Sequence, residues 1–236
     1  MKTVVASLFV LLFAVNAMAA ETAVKLETLT GTIHGTLLVA ETKAPVPVVL
    51  LIAGSGPTDR NGNTPALPGA NNSLQMLAEG LAAKGIASLR YDKRGIAASK
   101  SAMTSEADLR FETYIDDAAA WVRQLGKDER FSRVYVAGHS EGSLIGIVAA
   151  QKGGVAGVIS IAGAGRPAAD LIRAQVQSRL PAEMLAFTNE ALDSLTAQKP
   201  VADVPPMLNM LFRPSVQPYL MSWFRYDPAK EIAKLK

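Results

Sequence analysis

Residues 134–142 read Val134-Tyr135-Val136-Ala137-Gly138-His139-Ser140-Glu141-Gly142, and this stretch decides the fold. Val134 to Ala137 is a short apolar run of the kind that fills a buried strand, and the spacing from Glu141 to Lys152 is helical as far as Gly153-Gly154. Between them, Gly138 and Gly142 stand two residues to each side of Ser140. A serine in a sharp strand-to-helix turn needs such neighbours, because the strained backbone leaves space only for small residues. The turn presents the hydroxyl at the carboxyl edge of a sheet. The helix behind it aims its positive end, and the Glu141 backbone N–H, at an oxyanion forming there. The pentapeptide G-x-S-x-G alone is loose; strand, motif and helix in that order are specific.

Upstream, Pro47 to Ala53 is an unbroken apolar run, as in a strand buried on both faces, and Gly54-Ser55-Gly56-Pro57 follows at once. Glycines let a backbone approach a substrate closely. The Ser55 N–H is therefore the expected second oxyanion donor, with Gly56 its neighbour to consider. A dinucleotide-binding loop is the competing reading. It lacks the third glycine, Asp59 standing in its place, no helix starts directly after it, and no Walker lysine is present. Asp59-Arg60-Asn61-Gly62 reads as a turn or the rim of a pocket.

Further outward, Val24 to Val39 alternates loosely around Gly31, as two antiparallel strands would. Leu74, Leu77, Ala78 and Leu81 define a helix with Asn72 or Ser73 as cap and Gly85 at its far end, and a strand follows from Ile86 to Tyr91. Ile115, Ala118, Ala119, Val122 and Leu125 place a second helix within 108–126, and Val158 to Ala162 is one more strand. Strands alternating with helices imply a mainly parallel sheet covered on both faces, an α/β fold.

After Gly165 no β-branched run returns. Residues 166–236 are helical stretches punctuated by Pro200, Pro205-Pro206, Pro214 and Pro218, and their apolar side chains are soft or aromatic, from Met184 and Phe187 to Trp223 and Phe224. Such a stripe fits a small core packing on the sheet, a cap lining an apolar pocket, or both at once.

Composition bounds the chemistry. The 236 residues are 49% hydrophobic and 19% charged, which fits one α/β domain with a small appendage. With no cysteine, thiol catalysis, disulfides and thiolate metal sites are excluded, and two histidines leave little for a metal centre. No cofactor or metal is expected. Lys2, the apolar run from Val4 to Val15 and Ala17-Met18-Ala19 read as a signal peptide over 1–19, leaving a core over 20–165 and a helical cap over 166–236. Removing Lys2 leaves 24 − 1 = 23 basic against 21 acidic residues, a net charge of +2. So weak an imbalance gives no footprint for nucleic acid or acidic lipid. The expectation is an exported protein, periplasmic or extracellular, with no membrane attachment once the signal is cleaved and no lipidated cysteine.

Three motifs in this order, Gly54-Ser55-Gly56-Pro57-Thr58-Asp59-Arg60, Tyr91-Asp92-Lys93-Arg94-Gly95 with Ser99, and Gly138-His139-Ser140-Glu141-Gly142, resemble the α/β-hydrolases of the exported serine-esterase and aminopeptidase-like branch. The resemblance covers nearly all of the chain from Val24. It implies a triad of serine, carboxylate and histidine, acylation of Ser140 and hydrolysis of the acyl-enzyme by water, with a small-molecule acyl substrate. The Asp92 to Gly95 segment is implied to be a turn beside the site.

The chain departs from this pattern in one respect: no histidine follows Ser140, although the chain order of the fold is serine, acid, histidine. His139 cannot aim where Ser140 aims across the turn, and His34 lies on an early strand. Asp170 is a candidate acid at an unusual position. Residues 227–236 resemble the helix leading into a further strand, so the expectation is a chain truncated before its last core elements, with an exposed sheet edge after Val158 to Ala162. Loss of a triad histidine costs on the order of 10⁶ in turnover, and the chain as given is expected to be nearly inactive. An amidase or aminopeptidase on the same scaffold, and a catalytically dead pocket-binding protein, are the competing functions.

Overall fold

The computed structural model describes residues 19–40, 44–65 and 67–235. The expected signal peptide falls almost wholly on residues 1–18, outside them.

The described residues open with the hairpin β1 (Ala19–Thr28) and β2 (Gly31–Ala40), paired antiparallel from Thr28↔Gly31 to Ala19↔Ala40. Four strands then run parallel to one another: β3 (Val46–Ile52), β4 (Ala87–Tyr91), β5 (Phe131–His139) and β6 (Gly157–Ile161). The sheet order is β1-β2-β4-β3-β5-β6, with β2 antiparallel to β4. The chain passes from β3 to β4 on one side and then crosses back to β5 on the other. Ligands of open α/β sheets bind beyond the carboxyl ends of strands at such a reversal.

Both faces of β3 are covered, which is why its sequence is an unbroken apolar run. Val49 and Leu51 pack with Ala78 and Ala82 of α1 (Ser73–Ala82). Val48, Leu50 and Ile52 belong to the main core with Ile115 and Trp121 of α2 (Phe111–Leu125) and Ile145 of α3 (Glu141–Ala150). The sheet and helices thus form the mainly parallel α/β arrangement expected, and β6 ends it with Ile159 47% exposed.

Local boundaries differ from the sequence reading where a distant partner intervenes. The second helix begins at Phe111 rather than Asp108, since residues 106–108 form a 3-10 turn and the Phe111 N–H donates to Ser222 Oγ at 2.8 Å. Asn72 stands at the cap position of α1 in the left-handed region, φ 48°, and its side chain does not cap the helix. Its Oδ1 instead accepts from Asn63 Nδ2.

The C-terminal segment consists of α4 (Ala168–Val176), α5 (Ala182–Thr196), α6 (Asn209–Phe212), α7 (Gln217–Trp223) and α8 (Pro228–Ile232). Phe212, Tyr219 and Phe224 are buried in the main core. Phe111 stacks on Trp223 with ring centroids 5.8 Å apart and meets Tyr226 at 5.2 Å. Arg213 pairs with Glu106, and Gln151 donates to Glu231. Phe187 and Trp223 pack against the main core as well. Met207 and Met210 remain exposed.

Candidate active site

The register of the two central strands builds the site. Ile52 at the end of β3 is paired with Gly138 near the end of β5, so the loops that follow the two strands lie side by side. A Cβ placed on Gly54 would lie 3.0 Å from His139 Nδ1 and 3.4 Å from Ser140 Cβ. Sequence reasoning joined these two loops through their expected chemistry; the structure joins them through β-pairing.

Ser140 has φ 53° and ψ −118°, between β5 and the first turn of α3. A non-glycine residue in such a conformation costs on the order of 1–3 kcal/mol and persists only where its surroundings over-determine it. Here they do. The Ser140 N–H donates to Ile161 O at 2.9 Å, and the Ser143 N–H donates to Ser140 O at 3.0 Å. A Cβ on Gly138 would overlap the Gly142 carbonyl, and one on Gly142 would sit 2.5 Å from Ile52 O. The two motif glycines are therefore required by contact between the elbow and its neighbouring strand.

Ser140 is half-buried and lines a cavity of about 320 Å³ together with Gly54, Ser55, Thr58, Leu74 and His139. Among the described residues, none that lines this cavity comes from the C-terminal helices. Glu141 is the first residue of α3, where a backbone N–H has no acceptor within its own helix. Ser55 is exposed, and its N–H has no hydrogen-bond partner among the described residues. Gly56, with φ +74°, has open space where a Cβ would stand. Ser140 and Ser55 thus line one cavity, and Glu141 follows Ser140 directly at the start of α3, an arrangement suited to acyl transfer.

Of the other sequence candidates, only His139 belongs to this cavity lining. His139 is exposed at its rim. His34 is on β2, with its N–H donating to Ser99 Oγ, and Asp170 is an exposed residue of α4. Neither lines the cavity.

Beneath the cavity runs a charged layer whose partners the sequence did not disclose. Asp92, Lys93 and Arg94 follow β4 directly and are all buried. Asp92 accepts from the Arg60 backbone N–H at 2.8 Å, from Arg60 Nη2 at 2.7 Å and from the Ala98 N–H at 3.1 Å, which fixes the loop that rims the pocket. Arg94 grips Asp117 through two bonds of 2.7 and 3.1 Å. Burial pushes the Asp117 carboxyl above its usual range, and Arg94 opposes that shift. Lys93 Nζ donates to Gly54 O and to Glu141 Oε2, both at 2.7 Å, and Tyr219 OH donates to Glu141 Oε1. Burial, and next the Glu141 charge, hold the Tyr219 phenol well above its ordinary value, so it stays a donor. A run of three charges straight after a strand read as part of the central sheet was the available clue: buried charges there must be paired.

Fold and elbow together define an α/β-hydrolase. The family model described as "Serine aminopeptidase, S33" matches residues 70–212, and the chain belongs to that family. Esterase EstD of Thermotoga maritima is 30% identical over 200 residues, which cover 85% of this chain and 46% of EstD. The chain thus spans about half the length of that curated relative. The α/β hydrolase GrgF from Penicillium sp. sh18 shares the fold at a TM-score of 0.58 and 19% identity, over 92% of this chain and 78% of GrgF.

Proposed function

We propose that the protein is a serine hydrolase that cleaves carboxylic esters through an acyl-enzyme on Ser140. The observation that carries the reading is the strained Ser140, φ 53°, at the rim of a cavity it shares with the Gly54–Ser55 loop. In the proposed mechanism Ser140 Oγ attacks the ester carbonyl, and the developing oxyanion accepts hydrogen bonds from the backbone N–H groups of Ser55 and Glu141. The α3 dipole adds to this field. The alcohol departs with the proton lost from Ser140 Oγ and leaves the acyl group on Ser140; water then cleaves that ester, releasing the acid and restoring the hydroxyl. The likeness to an esterase supports the ester as substrate class.

Among the described residues no histidine or carboxylate joins Ser140 in the cavity lining except His139 at its rim. The 236-residue chain is therefore proposed to acylate slowly and to turn over little, its rate coming from the oxyanion donors and binding. Incubation with p-nitrophenyl acetate, followed by peptide mapping, tests this: the acetyl group is expected on Ser140 and is lost in Ser140→Ala. The family description favours a second reading, hydrolysis of amino-acyl amides. Parallel assays of acyl esters and amino-acyl p-nitroanilides separate the two.

A further inference from the structure

We infer that Lys93 is a positioning residue for the reaction proposed above, because its ammonium group ties together the two backbone segments that carry the oxyanion donors. Nζ reaches Gly54 O, the carbonyl of the same peptide unit that carries the Ser55 N–H, and Glu141 Oε2, on the residue whose own N–H is the second donor. Both contacts are 2.7 Å, and the Lys93 and Glu141 side chains are 2% and 3% exposed. The inference rests on the reading of Ser140 as nucleophile.

Stability alone does not account for this arrangement. A buried ion pair is weak evidence for stability, because desolvation of both charges offsets their attraction, and apolar side chains of the same volume serve a core as well or better. What an ion pair supplies is direction. The Tyr114 ring lies under Nζ, 4.9 Å from its centroid, and Tyr219 occupies the second carboxylate oxygen, so the pair has a single orientation. The separation of Ser55 from Glu141 is thereby set by a side chain anchored at the end of β4 rather than by the exposed loop itself. Tyr219 belongs to α7, which makes the C-terminal helices the outer support of the same bridge. A misplacement of about 1 Å can cost on the order of 10² in rate, so this tether has a catalytic consequence without touching substrate.

The test compares wild type, Lys93→Met, Lys93→Arg and the double variant Lys93→Met/Glu141→Gln, which leaves no buried charge unpaired. Two quantities are measured on the full chain. The first is the backbone order parameter at residues 54–56, with Leu50 and Val136 as core references. The second is phosphonylation of Ser140 by a fluorophosphonate, resolved into its maximal rate and half-saturating concentration. The double variant is expected to keep the core references near about 0.85 while residues 54–56 fall below about 0.6. Its maximal labelling rate falls about 10²-fold, the half-saturating concentration stays unchanged, and Lys93→Arg recovers part of the loss. A folded double variant with unchanged loop order and labelling rate overturns the inference. If wild-type Ser140 takes no label, the reading of Ser140 as nucleophile fails, and the order parameters alone decide whether Lys93 holds the loop.

Discussion

The backbone N–H of Ser140 donates to the carbonyl of Ile161 at 2.9 Å, so the strained elbow at the end of β5 is latched by β6, its neighbour in the sheet. The neighbouring pair His139↔Ile161 is in parallel register, and Ser143 Oγ adds a bond of 2.6 Å to Ser160 Oγ. The elbow is thus held from β6 on one side and from β3 on the other, where Gly142 abuts Ile52 O.

Gly142→Ala forces this contact open. An added methyl beside the Ile52 and Ala53 carbonyls is expected to cost about 1–3 kcal/mol and to abolish labelling of Ser140. Gly165→Ala, which meets nothing within 4 Å, is the control and should leave both unchanged. Urea unfolding and fluorophosphonate labelling read the two effects.

The elbow was legible in the sequence because its constraints are local: strand, two glycines and helix occupy consecutive residues. So was β3, since burial on both faces leaves an apolar run with no alternation. The start of α2 was not legible, because the group that satisfies the Phe111 N–H is Ser222, 111 positions away. The Lys93–Glu141 pair was hidden for the same reason. Glu141 was read for its backbone N–H, and nothing near it in sequence reveals that its carboxylate meets a lysine just after β4 and a tyrosine from α7. The C-terminal aromatic residues left two readings open that can hold together, and the structure shows Trp223 packing on Phe111 and Tyr219 on Tyr114.

Ser222→Ala removes the cap of α2 from outside that helix. The expected loss is about 0.5–2 kcal/mol, read as a lower urea midpoint with an unchanged slope. A loss below this range would show that water replaces the hydroxyl at a site now buried.

Phe111 is fully buried and joins α2 to α7 through Tyr219 and Trp223. Phe111→Ala is expected to cost about 3–5 kcal/mol, as for other large core deletions. Tryptophan fluorescence should report release of Trp223 along with the lower midpoint.

Acid should loosen the attachment of the C-terminal segment. Hydrogen bonding to Arg213 is the largest cause holding the Glu106 carboxyl below its ordinary value. A lowered folded-state value means that ionised Glu106 contributes stability above the unfolded value of about 4.3, and that this is lost as pH falls through the folded one. Both side chains are partly exposed, so the contribution is under about 1 kcal/mol. Urea midpoints measured from pH 6 to pH 3 should fall less steeply in Glu106→Gln than in wild type.

The central claim is that Ser140 is an acyl-accepting nucleophile. Its most direct test is incubation of the intact chain with a fluorophosphonate, with the modified residue located by peptide mass spectrometry and Ser140→Ala run alongside. The account predicts slow, saturable modification of Ser140 that vanishes in the variant. An unmodified Ser140 in folded wild-type protein, or equal modification of the variant, would contradict it.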